Sequence, residues 1–81
     1  MDADTLVRLA NGIGEFFDAM PDRQEALDGV ANHLKRYWAP TMRRELLSAF
    51  ASGQAPALHP LVAQALQQRR AVVLPADAAP D

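Results

Sequence analysis

Apolar residues recur every three or four positions along most of the chain, which is the spacing of one face of an α-helix. The first series begins after an acidic residue that can cap a helix, Asp2 or Asp4, and ends before Pro21. It predicts a helix over about residues 4–20. Its apolar members are Leu6, Leu9, Ala10, Ile13, Phe16, Phe17 and Met20.

The second series starts at Asp22, which has Glu25 three residues later as in a capping box. It predicts a helix over about residues 23–38, which Pro40 ends. Its apolar members are Leu27, Val30, Ala31, Leu34, Tyr37 and Trp38.

A third helix is predicted over about residues 41–52, with Gly53 as its end. After a connector, Pro60 suits a first helical position and predicts a short fourth helix near 60–68. We expect the side chains of Ile13, Phe17, Leu34 and Leu46 to be buried in the core.

The helical pattern stops at Arg69, and the apolar, β-prone stretch 71–74 is followed by a tail rich in Ala, Asp and Pro. The sequence therefore predicts a single helical domain over residues 1–68 and a flexible C-terminal tail over residues 69–81. The fold class is all-α, a small bundle of three main helices plus the short fourth helix.

Composition limits the chemistry of this 81-residue chain, which has no cysteine and only two histidines, His33 and His59. Disulfides, thiolate zinc sites and iron–sulfur ligation are excluded, and neither histidine has a partner at a catalytic or ligand-like spacing. We expect no catalytic, cofactor-binding or metal-binding residue, and a chain that is not an enzyme by itself.

We also expect a cytoplasmic protein that needs a partner. No apolar run approaches the roughly 18 residues of a membrane span. The opening residues carry acids and no base, unlike a signal peptide. A domain of this size buries only about 60% of its unfolded surface, so a partner protein is the remaining source of stability.

Charge is unevenly distributed, because residues 1–28 are mainly acidic and residues 33–70 mainly basic. The segment 33–44 combines bases with aromatic residues, the residue types that often anchor protein interfaces. We predict a partner-binding surface, and three interpretations stay open: core aromatics beside solvated bases, protein docking, and nucleic-acid binding, which the net charge of −2 disfavours. The predicted partner-binding residues are Arg8, His33, Lys35, Arg36, Tyr37, Trp38, Pro40, Arg43 and Arg44.

Three residues within the first helix are unusual there. Gly12 and Gly14 lack the third glycine and the preceding strand of a nucleotide-binding loop, so we interpret them as points where another helix approaches closely. Asn11 competes with helical backbone bonds, and it either hydrogen-bonds across an interface or is simply exposed.

Two blocks of the sequence form a recognisable pattern. Residues 6–17 read Leu-Val-Arg-Leu-Ala-Asn-Gly-Ile-Gly-Glu-Phe-Phe, and residues 33–43 read His-Leu-Lys-Arg-Tyr-Trp-Ala-Pro-Thr-Met-Arg. Together they resemble the delta-subunit family of NAD-dependent formate dehydrogenases. Leu9 stands where the family usually has Met, and Tyr37 where it has Phe. The resemblance covers about residues 5–50, and its motifs are not catalytic.

The resemblance implies an accessory subunit that supports assembly, stability or cofactor insertion in a soluble complex oxidising formate and reducing NAD. The molybdenum cofactor and iron–sulfur clusters would lie in the large subunit, which is the expected partner, and FMN and the NAD site in other subunits. A free-standing helical adaptor or nucleic-acid-binding regulatory module is the alternative. Self-association of the isolated chain is left open.

Overall fold

The computed structural model describes residues 2–76, which form five helices and, within that range, no strand. The all-α fold class predicted from the sequence is confirmed. The helices are α1 (Ala3–Phe17), α2 (Arg23–Tyr37), α3 (Pro40–Ala51), α4 (Pro60–Gln68) and α5 (Arg70–Val73).

The first two helices begin at aspartates whose carboxylates cap them. The backbone N–H of Thr5 donates to Asp2 Oδ1 at 2.8 Å, and the N–H of Glu25 donates to Asp22 Oδ1 at 3.1 Å. Each bond satisfies a donor that has no carbonyl partner in the first helical turn. The acidic caps predicted from the sequence are therefore present.

Proline and glycine set the ends of the next two helices. Pro40 and Pro60 are the first residues of α3 and α4, where a missing N–H costs nothing. Gly53 follows α3 with φ of +76°, a left-handed conformation that glycine adopts without strain. These local signals explain why the predicted helix limits lie close to the observed ones.

Helix α2 lies at the centre of the packing and contacts all four other helices. Its buried face consists of small and medium apolar side chains, so its neighbours can pack closely around it. The fully buried large side chains of the core are Leu6, Leu27, Val30, Leu34, Leu46, Leu61, Val62, Leu66 and Val73.

The connector before α4 is held by Asn11 of α1. Its Nδ2 donates to the carbonyl oxygen of Ala57 at 2.9 Å, and its Oδ1 accepts from the backbone N–H of His59 at 2.7 Å. Asn11 is therefore not simply exposed. Its side-chain nitrogen and oxygen both form hydrogen bonds across the interface between α1 and the connector.

Gly14 is the point where α1 approaches α4. A Cβ atom at this position would lie 2.8 Å from Val62 Cγ2 and 3.0 Å from His59 Cγ. At Gly12 a Cβ would meet nothing within 4 Å. The predicted close helix approach is confirmed for Gly14 and wrong for Gly12.

Helix α1 is shorter than predicted, since it ends at Phe17 and the backbone N–H of Met20 donates to the Phe17 carbonyl in a turn. Pro21 disfavours helical geometry just before it, and the chain reverses there to enter α2.

Leu34 and Leu46 are buried as predicted, but Ile13 and Phe17 are only partly buried at the edge of the core.

The predicted flexible tail over residues 69–81 is wrong for its first part, because residues 70–73 form α5 and Val73 is fully buried. Arg69 Nε donates to Asp28 Oδ1 on α2 at 2.7 Å, and Arg43 Nη1 donates to the carbonyl oxygen of Val73 at 3.0 Å. These contacts hold α5 on the bundle. Residues 77–81 of the predicted tail lie outside the described residues.

Candidate partner-docking surface

Four rings lie in series along one side of the hairpin formed by α1 and α2. Ring centroids are 5.0 Å apart for Phe16 and Phe17, 6.1 Å for Phe17 and His33, and 4.8 Å for His33 and Tyr37. With two aliphatic neighbours on α1 they form one continuous surface. We call it the aromatic strip: Leu9, Ile13, Phe16, Phe17, His33 and Tyr37.

Much of this apolar surface faces solvent. Phe16 is 74% exposed, Tyr37 69% and Leu9 41%, and they are the exposed large hydrophobic side chains found within residues 2–76. Single exposed apolar residues are common, but a contiguous exposed patch marks an interaction surface. The clustering of all three residues in the aromatic strip is what makes it a candidate site.

Local sequence positions the rings. Ile13, Phe16 and Phe17 are spaced so that they follow one side of α1, next to but not within the face that Gly14 turns toward α4. On α2, Gly29 has no side chain, and a Cβ there would overlap the Phe17 ring. The ring can therefore lie against the α2 backbone beside His33.

The aromatic strip contains two adjoining surface depressions that share Phe17 and His33, and both are lined only by residues of α1 and α2. Arg36 is the one residue in these linings that carries a formal charge at neutral pH. Lys35 lies next to it, in a depression with Asn32. The surface is thus apolar, with a cationic end.

The structure brings three of the predicted partner-binding residues into or beside the aromatic strip: His33, Arg36 and Tyr37. Lys35 adjoins them, whereas Arg8 lies outside the strip, in a depression that also contains Asp4. Arg8 therefore lies apart from the four predicted residues on α2.

The residues predicted at the α2–α3 junction have different environments. Trp38 is half-buried against the core, Pro40 is exposed, and Arg44 is half-buried. Arg43 is only 8% exposed, and its guanidinium is used inside the protein to hold α5. The expectation that Arg43 belongs to an exposed basic surface is corrected, and contact between the other residues and a partner stays a prediction.

The part of the chain that the structure describes contains no group of three or more His, Asp or Glu side chains able to hold a metal ion. No helix in it is both long and apolar enough to cross a membrane.

The family model described as NADH-dependent formate dehydrogenase delta subunit FdsD matches residues 5–66 of the chain. The chain belongs to this delta-subunit family. No curated protein and no solved structure matches it. The resemblance seen in the sequence is confirmed, and the match extends beyond the two blocks that carried it, to include α3 and most of α4.

All six residues of the aromatic strip lie within the segment that matches the delta-subunit family. The sequence pattern did not identify Leu9, Ile13, Phe16 and Phe17 as surface residues, because their spacing also fits a core-facing stripe. The available signal was the width of the apolar pattern on α1. It is wider than the single stripe by which a helix faces a core, and in the structure Leu9 and Phe16 are exposed.

Proposed function

We propose that this delta-subunit family member is a non-catalytic accessory subunit that docks on a formate dehydrogenase complex through the aromatic strip. In this proposal the large subunit is the partner, and the molybdenum cofactor, iron–sulfur clusters and FMN are held by other subunits. The bound chain supports assembly, stability or cofactor insertion. It acts in the cytoplasm, where such a soluble complex would operate.

The observation that carries the proposal is the exposure of Phe16 and Tyr37 on one continuous surface. Large aromatic side chains lose unfavourable contact with water when a partner covers them, and they are common energetic anchors of interfaces. A small chain with such a surface gains stability from association.

The chemistry of the chain agrees with an accessory role. It has no cysteine for an iron–sulfur cluster, and the one histidine in the aromatic strip, His33, has aromatic neighbours there. The alternative of nucleic-acid binding loses one of its proposed cations, because Arg43 is buried.

Affinity purification through this chain tests the proposed function. A tagged copy of this chain is expressed alone, and in a second preparation together with the formate dehydrogenase subunits of its own organism. The proposal expects a complex in fixed ratio that reduces NAD with formate, and an isolated chain without that activity. It also expects a lower content of molybdenum or a faster loss of activity in complexes made without the chain.

Purified complexes of full activity, cofactor content and lifetime that never contain the chain would contradict the proposal. A chain that oxidises formate alone would contradict the non-catalytic role. A scrambled-sequence peptide with the same tag controls for binding by the tag.

A further inference from the structure

We infer that the aromatic strip receives an amphipathic helix of the partner that places a carboxylate beside Arg36. This inference rests on the proposed function and names the chemistry of the segment that binds. Its basis is the shape of the groove between α1 and α2 together with the single charge in the groove lining.

The geometry favours a helix as the occupant. The strip lies between two packed helices of a hairpin, and both of its depressions are lined by side chains from these two helices. A groove between two helices accepts a third helix by the same ridge-into-groove packing that builds the bundle. Recognition of this kind uses apolar anchors repeated at three- and four-residue spacing on the bound helix.

The charges favour an acidic segment. Arg36 lines the groove, Lys35 adjoins it, and within residues 2–76 neither side chain has a carboxylate partner. Covering the groove with a purely apolar helix would remove water from the Arg36 guanidinium without replacing its hydrogen bonds. A carboxylate on the bound helix would satisfy it, and the planar guanidinium suits two parallel hydrogen bonds to a carboxylate.

The positions of the carboxylates disfavour a second copy of this chain. No aspartate or glutamate lines either depression of the aromatic strip. Glu15, on the same helix, instead lines the neighbouring depression that contains Arg8 and shares only Gly12 with the depressions of the strip. Two strips placed face to face would therefore offer Arg36 no carboxylate from the opposing groove.

Site-directed photo-crosslinking in the intact complex tests the inference. Tyr37 is replaced by the photoreactive analogue benzoylphenylalanine, and the crosslinked peptides are identified by mass spectrometry. The control has the same analogue at Gln67, which is exposed on α4 away from the strip. We expect Tyr37 crosslinks on one subunit segment with helical apolar spacing and at least one Asp or Glu, and we expect none there from Gln67.

A charge exchange then tests the ion pair. Arg36→Glu is expected to weaken retention of the chain in the complex about tenfold or more, and Lys at the identified acidic position is expected to restore it. Circular dichroism of the isolated variant verifies that it folds, as expected for an exposed side chain. Retention that stays at the parent level with Arg36→Glu, or that the exchange does not restore, overturns the ion pair.

The remaining outcomes are distinct. Tyr37 crosslinks to a second copy, to an extended segment, or to a segment without acids overturn the inferred occupant. A complex that retains the chain without any Tyr37 crosslink overturns the docking surface but leaves an accessory subunit. Failure of the unmodified chain to enter the complex contradicts the proposed function itself.

Discussion

At the scale of single residues, Gly12 and Gly14 of α1 have opposite surroundings. Gly14→Ala should lower the free energy of unfolding by about 1–3 kcal/mol, because its Cβ would press on Val62 and His59. Gly12→Ala should raise it by up to about 1 kcal/mol, because the site is open and alanine favours helix. Urea denaturation measures both, and changes of equal sign would contradict the described approach of α1 to α4.

Asn11 provides a second test, because its amide bonds to the connector through both of its ends. Asn11→Ala removes the bonds to Ala57 and His59 and should cost about 1–3 kcal/mol of stability. The matched variant Asn11→Asp keeps an oxygen that accepts from His59 but places a carboxylate oxygen against the Ala57 carbonyl oxygen, so it should also be less stable than the parent chain. Equal stability of all three proteins would mean that the connector is not held by this side chain.

Asp2 links the stability of α1 to pH. The backbone N–H of Thr5, which donates to its carboxylate, lowers the pKa of Asp2 below the ordinary value of 3.8. A lowered folded-state pKa stabilises the protein at pH above the unfolded-state value, and this contribution is lost as pH falls through the folded-state pKa. Asp2→Asn, which keeps an oxygen acceptor, should therefore flatten the acid limb of the melting-temperature profile. An identical acid limb in both proteins would exclude a contribution of the Asp2 carboxylate to the pH dependence of stability.

Residue roles were predictable from sequence where the partner is local. The caps at Asp2 and Asp22 were predictable because their donors are three residues away. Asn11 was not, since its partners lie 46 and 48 residues away and no local pattern identifies them. Arg43 was misplaced for the same reason, because its bond to Val73 depends on a helix that the sequence did not predict.

At the scale of elements, α5 shows how packing overrides a weak local pattern. Its four residues are too few to form a stable helix alone, and they are too few to show a helical spacing of apolar residues in the sequence. Burial of Val73 and the clamp between Arg69 and Asp28 hold it in place. The longer helices were predictable because each has several turns of regular apolar spacing and a clear start or stop residue.

The docking of α5 makes a stability prediction. Val73→Ala should lower the free energy of unfolding by about 1–3 kcal/mol, because Val73 is fully buried. Ala71→Ser, at an exposed position of the same helix, is the matched control and should change stability little. Chemical denaturation checks both, and a Val73→Ala protein as stable as the control would place residues 70–73 outside the core.

At the scale of the whole molecule, α1 carries more apolar surface than the bundle can cover. The core fills with residues such as Leu6 and Ala10, and Phe16 is left at the surface. The periodicity identified the apolar side chains of α1 but not which of them are buried and which are exposed. That depends on how all the helices pack together. The family, by contrast, could be identified from sequence, because residues 6–17 and 33–43 are each continuous stretches. Both lie within the segment that the family model matches.

The central claim is that the aromatic strip attaches the chain to the formate dehydrogenase complex. The most direct test is retention of a Phe16→Ser, Tyr37→Ser double variant during purification of the co-expressed complex. Both side chains are mainly exposed, so the variant should stay folded by circular dichroism. The control is Gln54→Ser with Gln67→Ser, at exposed positions outside the strip.

We expect the control to be retained like the parent chain and the strip variant to dissociate. Each lost aromatic anchor should reduce the binding free energy by on the order of 2 kcal/mol or more. A folded strip variant that stays in the complex as fully as the control, across salt concentrations, would contradict the claim and place the interface on another face.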